Sequence, residues 1–125
     1  MTDSCPIMIE VENSYAAEHS EPEQNRFVFI YDISIHNRGN CAAQLISRHW
    51  VISDADGKIE EVRGEGVVGE QPVLEPGATY RYNSFCVLET PVGCMQGSYR
   101  MLDEDGNEFD APVPTFTLAL PGSLN

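Results

Sequence analysis

A strict alternation of large apolar residues within residues 26–37 is the feature that most constrains how this chain can fold. Every second position of this segment carries a large apolar side chain: Phe27, Phe29, Tyr31, Ile33 and Ile35. Successive side chains of a β-strand point to opposite faces, whereas one face of a helix repeats about every 3.6 residues. The period of two therefore predicts a β-strand with one fully buried face.

The same period recurs along the chain, interrupted by short polar turns. Further strands are predicted over residues 7–12, 45–54, 58–62, 78–88, 98–102, 108–110 and 115–120. Asp-Gly pairs at positions 56–57 and 105–106 lie between β-rich runs, where this dipeptide is a strong hairpin signal. Residues 16–25 are expected to form a connecting loop, and Pro112 and Pro114 are expected to interrupt the last strands.

Seven or eight short strands with regular turn signals predict an all-β fold, an antiparallel β-sandwich with a small barrel as the alternative. A length of 125 residues falls within the range of a single domain, so the whole of residues 1–125 is predicted to be one domain. Trp50, isolated in a central strand, is expected between the two sheets. Its neighbours Arg48 and His49 are expected in solvent.

The charge balance restricts the partners that the chain can bind. Twenty acidic residues oppose seven basic ones, which gives a formal net charge of -13. Such a surface repels phosphate backbones and anionic membranes, so nucleic acid is not expected as a partner. No apolar run approaches the ~20 residues of a membrane-spanning helix, so membrane insertion is not expected. A basic protein surface or a divalent cation is the expected partner.

The beginning of the chain and its cysteines bear on location. No basic patch followed by an apolar stretch opens the sequence, so no secretory signal is recognised and a cytoplasmic location is expected. In that compartment the four cysteines are expected to be reduced: Cys5, Cys41, Cys86 and Cys94. Cys86 lies in an apolar strand and is expected to pack as a small hydrophobic residue.

A glycine-rich segment is the first candidate site. Gly64, Gly66 and Gly69 match the spacing G-x-G-x-x-G, which binds pyrophosphate where it opens a helix. No helix-forming stretch follows here, because Pro72 and Pro76 come next, so a dinucleotide fold is rejected. A backbone nest could still bind an anion without a helix, and Arg63 would be the cation that offsets its charge.

An acidic turn is the second candidate site. Asp103, Asp105 and Glu108 superficially resemble a calcium loop, but the spacing of glycine and glutamate in an EF-hand is not matched. Weak association of a divalent cation is the most that this turn predicts. Three dispersed histidines form no metal signature, and no confident metal site is predicted.

No catalytic apparatus is recognised in the sequence. Nucleophilic catalysis needs a nucleophile, a base and an orienting group held together, and no local signature of such a group is present. The chain is therefore predicted not to be an enzyme, and no cofactor is expected.

Several separate motifs occur in one order along nearly the whole chain. These are QLISRHW at 44–50, DADG at 54–57, VRGEGVVGEQP at 62–72, LETP at 88–91, GSY at 97–99 and DEDG at 103–106. Together they resemble the bacterial ApaG domain family, so the single domain predicted over residues 1–125 would be an ApaG domain. The resemblance implies an immunoglobulin- or fibronectin-III-like β-sandwich. The glycine loop belongs to the family's pattern, and its pyrophosphate hypothesis maps to Gly64, Gly66 and Gly69.

The resemblance implies less about activity than about fold. The bacterial family is associated with cobalt tolerance and magnesium efflux, without an established mechanism. Related eukaryotic domains occur in F-box proteins and in a protein that interacts with a DNA polymerase, where they resemble protein-interaction modules.

Three hypotheses follow for the function. The first is a non-enzymatic protein-interaction module that uses residues 61–70. The second is a binder of pyrophosphate, a nucleotide or a divalent cation, through residues 64–69 or residues 103–110. A phosphate site should lose affinity on Arg63→Glu, whereas a protein partner need not respond to that change. A hydrolase is the third and weakest hypothesis.

Overall fold

The computed structural model describes residues 6–122, which form eight β-strands and two short 3₁₀-helices. The strands are β1 Ile7–Tyr15, β2 Phe27–Asn37, β3 Ala43–Asp54, β4 Ile59–Glu65, β5 Val73–Leu74, β6 Thr79–Leu88, β7 Val92–Asp103 and β8 Glu108–Ala119. The 3₁₀-helices, Ala17–His19 and Pro22–Gln24, occupy the predicted connecting loop. No helix in this part of the chain is long and apolar enough to cross a membrane.

Two antiparallel sheets lie face to face. The smaller has the strand order β1-β2-β6, and the larger has the order β4-β3-β7-β8, with β5 pairing the start of β3 beside β4. All the strand pairs are antiparallel. The predicted antiparallel β-sandwich is confirmed.

The core lies between the sheets and follows the alternation of β2. The five apolar side chains predicted to share one face are all buried, and Phe29, Ile33 and Ile35 have no exposed surface. Trp50, 3% exposed, packs edge-on against Tyr99 of its own sheet and against Tyr31 of β2 in the facing sheet, with ring centroids 6.0 and 5.7 Å away. Its predicted position between the sheets is confirmed.

The last strand differs from the prediction. The structure has one strand, β8, from Glu108 to Ala119, although Pro112 and Pro114 were expected to interrupt it. Proline cannot donate to a strand ladder, but β8 pairs only with β7 among the described residues. Backbone N–H donors are therefore not required on the unpaired side of β8. The pairing of β8 with β7 also shifts register opposite residues 95–97, which is a local irregularity of the kind that a bulge produces.

The cysteines follow the prediction in part. Cys86 is buried as expected, and burial raises the pKa of its thiol to about 11. Cys86 and Cys94 are free thiols. Cys41 is disulfide-bonded, so the expectation that every cysteine is reduced is wrong at this position. Cys5 lies outside the described residues.

Candidate functional site

The glycine-rich segment closes as a tight hairpin after β4. Val67 N donates to Glu70 O at 2.8 Å, and Glu70 N donates to Val67 O at 2.9 Å. Val68 and Gly69 between them have φ values of 44° and 82°. Positive φ at both central residues is the pattern of a type I′ turn, which suits a two-residue hairpin. Residues 67–70 are called the Val68 turn below.

Gly66 is held where only glycine is accommodated. Its φ is 62°, and a Cβ added there would lie 2.2 Å from the carbonyl oxygen of Glu70. Its amide donates to the carbonyl of Ile46 in β3 at 2.8 Å, which fixes the base of the turn to the larger sheet. The backbone conformation and the close packing therefore explain why position 66 is glycine, without a bound ligand.

Gly64 leaves room for an arginine. It pairs with Arg48 across β3 and β4, and a Cβ added to Gly64 would lie 2.8 Å from Arg48 Nη1. That Nη1 atom donates to the carbonyls of Glu65 at 3.3 Å and Gly66 at 3.0 Å. The half-buried guanidinium thus connects the central strand to the segment that leads into the turn.

Arg48 is the residue of this site that the sequence prediction missed. It was expected in solvent as a neighbour of Trp50. The signal that could have located it was available, because alternation places Arg48 on the same face of β3 as buried Trp50. What the sequence does not contain is the identity of its acceptors, which depends on the pairing of β3 with β4.

Val68 has a backbone conformation that its residue type disfavours. Two non-glycine residues in the described part of the chain have positive φ, Asn25 and Val68. Asparagine adopts this region comparatively often, whereas a β-branched side chain there is an outlier that costs about 1–2 kcal/mol. Val68 is also 66% exposed, so burial of its side chain does not offset much of that strain.

Side-chain hydrogen bonds hold the C-terminal side of the Val68 turn. Gln71 Nε2 donates to the carbonyl of Ile46 at 2.9 Å. The hydroxyl of Tyr80 in β6 donates to Glu70 Oε1 at 2.8 Å. Burial raises the pKa of the Tyr80 phenol, and the hydrogen bond and the nearby charge of Glu70 raise it further. The turn is therefore fastened to both sheets.

Arg63 lies on the outer face of β4, with 70% of its side chain exposed. Its Nη2 is 3.3 Å from Glu61 Oε1, and His49 Nε2 is 3.0 Å from the same oxygen. The hydrogen bond from His49, followed by the positive charge of Arg63, holds the pKa of the Glu61 carboxyl below its usual value.

The structure brings only part of the predicted anion site together. Arg63 and Gly64 line one shallow hollow of about 460 Å³ on the outer face of the larger sheet, whereas Gly66 and Gly69 do not line it. The amides of Gly66, Val67 and Glu70 donate to carbonyls of the chain itself. Anion binding by this loop stays a prediction.

Two of the three carboxylates predicted for the acidic turn, those of Asp103 and Glu108, have protein partners. Asp103 Oδ1 accepts from the amides of Asp105 and Asn107, both at 2.9 Å. Arg100 lies 2.9 Å from Glu108 and 2.8 Å from Asp110. The described residues contain no group of three or more His, Cys, Asp or Glu side chains placed to hold a metal ion. Weak cation binding at Asp103, Asp105 and Glu108 stays a prediction.

Comparison with known proteins settles the family. Residues 17–103 match the ApaG domain. The chain belongs to the ApaG family. The matched range begins at the first 3₁₀-helix and ends at the last residue of β7, so it contains Arg48 and the Val68 turn.

Individual ApaG proteins extend this match to nearly the whole chain. The chain is 60% identical over 119 residues to protein ApaG of Thiobacillus denitrificans, covering 95% of this chain and 94% of that protein. It is 54% identical to protein ApaG of Pseudomonas syringae pv. tomato over the full length of both. A crystal structure of a protein from Bordetella pertussis described as ApaA superposes with a TM-score of 0.94. That protein is 43% identical, with 98% of this chain and all of the other covered.

Proposed function

We propose that this chain is a non-enzymatic, cytoplasmic protein-interaction module that presents the Val68 turn to a partner protein. The observation that carries the proposal is the conformation of Val68, a β-branched residue with a φ of 44° and 66% of its surface exposed. Strained residues persist where the surrounding structure over-determines them, and they cluster at functional sites. An exposed valine at the tip of a fastened turn is suited to fill an apolar pocket of a partner.

The surroundings of the turn suggest the chemistry of that partner. Glu65 precedes the turn, Glu70 is its last residue, and Glu61 lies earlier in β4 on the same edge of the larger sheet. The chain as a whole carries a formal net charge of -13. A complementary partner would therefore offer an apolar pocket with a basic rim, because such a rim steers association and fixes orientation.

The small loss of conformational entropy expected on binding also favours the Val68 turn as the interaction surface. A loop that is already ordered loses little conformational entropy when a partner binds it. Here Arg48, Gln71 and Tyr80 supply hydrogen bonds that hold the segment on either side of Val68. On this proposal, the chain would influence the cobalt tolerance and magnesium efflux associated with the family indirectly, through its partner protein.

Site-specific photo-crosslinking tests the proposal. A photoreactive amino acid replaces Val68 in one variant and Ile59 in another, because Ile59 is equally exposed, at 65%, but lies at the start of β4. We expect a discrete covalent adduct in cells from position 68 and not from position 59. Excess unlabelled chain should compete for it, whereas excess Val68→Asn chain should not. Equal labelling from both positions would contradict the proposal.

A ligand titration separates this function from the small-ligand alternative. Backbone amide shifts are followed by NMR while pyrophosphate, Mg²⁺ and Co²⁺ are added in turn at physiological salt. Saturable shifts confined to Gly64, Gly66 and Gly69 would favour the ligand and overturn the interaction proposal. Arg63→Glu should then abolish the response to pyrophosphate. Shifts spread over the acidic surface, or none, would leave the interaction proposal in place.

A further inference from the structure

Besides the two-residue β5, the sandwich has four edge strands among the described residues, and they differ in how well they are protected. The edges of the smaller sheet are β1 and β6, and those of the larger sheet are β4 and β8. An edge offers unpaired backbone donors and acceptors to another chain. Proteins usually protect it with charges, prolines, bulges or covering segments.

Three of these edges carry such protection. β8 contains Pro112 and Pro114, and its pairing with β7 has a register shift. β1 lies beside β8, where Asn13 Nδ2 donates to the carbonyl of Thr117 at 3.2 Å. Most residues of β4 are charged, with glutamate at three positions and arginine at one.

The remaining edge, β6, carries little protection. Over Thr79–Leu88 it contains no proline and a single charged residue, Arg81, and its register with β2 has no irregularity. On its outer face Phe85 is 64% exposed and Val87 is 37% exposed. Phe85 lies opposite half-buried Ile30 of β2, whereas Val28, opposite Val87, is buried, so the accessible apolar strip consists of Ile30, Phe85 and Val87 and reaches the free edge.

Acidic side chains surround the end of this strip. A small hollow between the ends of β4 and β6 is lined by Asp54, Glu60, Glu89 and one cation, Lys58. The Lys58 amine is already 3.3 Å from a carboxylate oxygen of Glu89. A strand laid along β6 would therefore meet apolar surface with negative charge beside it. A second copy of this chain would bring a charge of -13 against -13, which opposes self-pairing.

We propose that the free edge of β6 accepts an extended segment of a partner protein as an added strand, with apolar residues alternating with lysine or arginine. Main-chain hydrogen bonds would hold the segment, and its outward apolar side chains would cover Phe85 and Val87. The basic side chains would meet Glu60 and Glu89. This surface is centred on Phe85 and Val87, whereas the contact of β6 with the Val68 turn is made by Tyr80 near the other end of the strand, and neither proposal depends on the other.

The probe is the synthetic peptide acetyl-Lys-Val-Lys-Ile-Lys-Val-Lys-amide, added to the full ¹⁵N-labelled chain. Its control is the same peptide with every lysine replaced by glutamate. The basic peptide should cause saturable amide shifts in residues 79–88, together with slower hydrogen exchange of β6 amides. The acidic peptide should cause neither change.

Two charge-introducing variants locate the binding surface. Phe85→Lys places a cation on the β6 edge, and Val73→Lys places one at an exposed apolar position on β5, away from Glu60 and Glu89. Both side chains are mostly exposed, so both variants should keep the amide spectrum of the folded chain. The peptide should bind Phe85→Lys about tenfold more weakly or worse, and Val73→Lys with nearly unchanged affinity.

The proposal would be overturned by any of three results. The first is equal binding to the two variants, which would indicate general attraction to the acidic surface. The second is no saturable shift in β6 at millimolar peptide. The third is a dimer of the unmodified chain by analytical ultracentrifugation that Phe85→Lys abolishes, which would assign the edge to a second copy. Loss of the photo-crosslink at Val68 would not affect it.

Discussion

The guanidinium of Arg48 lies against Gly64, so close that a Cβ at that glycine would be 2.8 to 2.9 Å from three of its atoms. From this position Arg48 donates to the carbonyls of Glu65 and Gly66. The missing side chain at Gly64 and the charged side chain of Arg48 therefore act as one unit. They support the segment that leads into the Val68 turn.

This relationship predicts that mutations at the two positions are not additive. Gly64→Ala should displace the guanidinium and lower the free energy of unfolding by about 1 kcal/mol, because hydrogen bonds from Arg48 are lost. In an Arg48→Met background the same change should cost less than about 0.5 kcal/mol. Urea denaturation of the four chains measures the cycle. Equal costs of Gly64→Ala in both backgrounds would show that Arg48 is not what excludes a side chain there.

The other two glycines should differ from each other in the same assay. Gly66→Ala combines a φ of 62° with a Cβ 2.2 Å from a backbone oxygen, so it should cost about 3 kcal/mol. Gly69→Ala has a φ of 82° but nothing within 4 Å of the new Cβ, so it should cost about 1 kcal/mol. Adding pyrophosphate to the unmodified chain in the same assay tests whether the glycines form a ligand site. If it stabilised the unmodified chain, the glycines would have a role that these contacts do not explain.

The architecture was predictable from sequence because burial imposes a simple period on each strand. Phe29, Ile33 and Ile35 alternate with less buried residues, and the structure buries all three completely. Edge strands are harder to predict. In a sequence, a proline suggests that a strand ends, and only the topology shows whether the strand has an unpaired side on which a proline is accommodated. Pro112 and Pro114 illustrate this, because β8 continues through both of them, although its pairing with β7 shifts register beside Pro114.

The site was less predictable, because its main features depend on tertiary pairing. The acceptors of Arg48 lie 17 and 18 residues further along the chain and are brought to it by the register of β3 with β4. The turn type was also hidden, since Val68 occupies the position where a type I′ turn favours asparagine. The spacing of the glycines could indicate a constrained loop. It could not show which glycine is required by a positive φ and which by the close approach of another group.

The contacts of Glu61 with His49 and Arg63 predict the direction in which this carboxyl group makes the stability of the fold depend on pH. Its carboxyl pKa lies below the usual value, mainly because His49 hydrogen-bonds it and then because Arg63 is near. A pKa that is lower in the folded chain stabilises the fold above the unfolded-state pKa. This contribution is lost as the pH falls through the folded-state pKa.

Carboxyl ¹³C NMR of the folded chain measures this pKa directly. His49→Gln should move the Glu61 pKa back towards its ordinary value by more than Arg63→Gln does, because the hydrogen bond from His49 is the larger cause. A larger response to Arg63→Gln would show that charge, rather than the hydrogen bond, dominates.

Val68→Asn should make the chain more stable and less able to bind its partner. Asparagine tolerates positive φ better than valine, so relief of strain should raise the free energy of unfolding by about 1 kcal/mol. For a domain of this size that corresponds to a rise in Tm of about 4 °C. The photo-crosslinked adduct should no longer be competed by this variant, because the apolar side chain that enters the partner is gone.

Val73→Asn is the matched control for that variant. Val73 is 55% exposed in β5, close in sequence to the Val68 turn, but it is not among the residues with positive φ. The control should therefore gain no stability and should still compete for the adduct. A gain in Tm at position 68 with undiminished competition would mean that the strain is real but serves no partner. A loss of Tm would mean that the valine side chain has a structural role that its exposure conceals. Only a gain in stability combined with a loss of competition links the strained backbone at Val68 to binding.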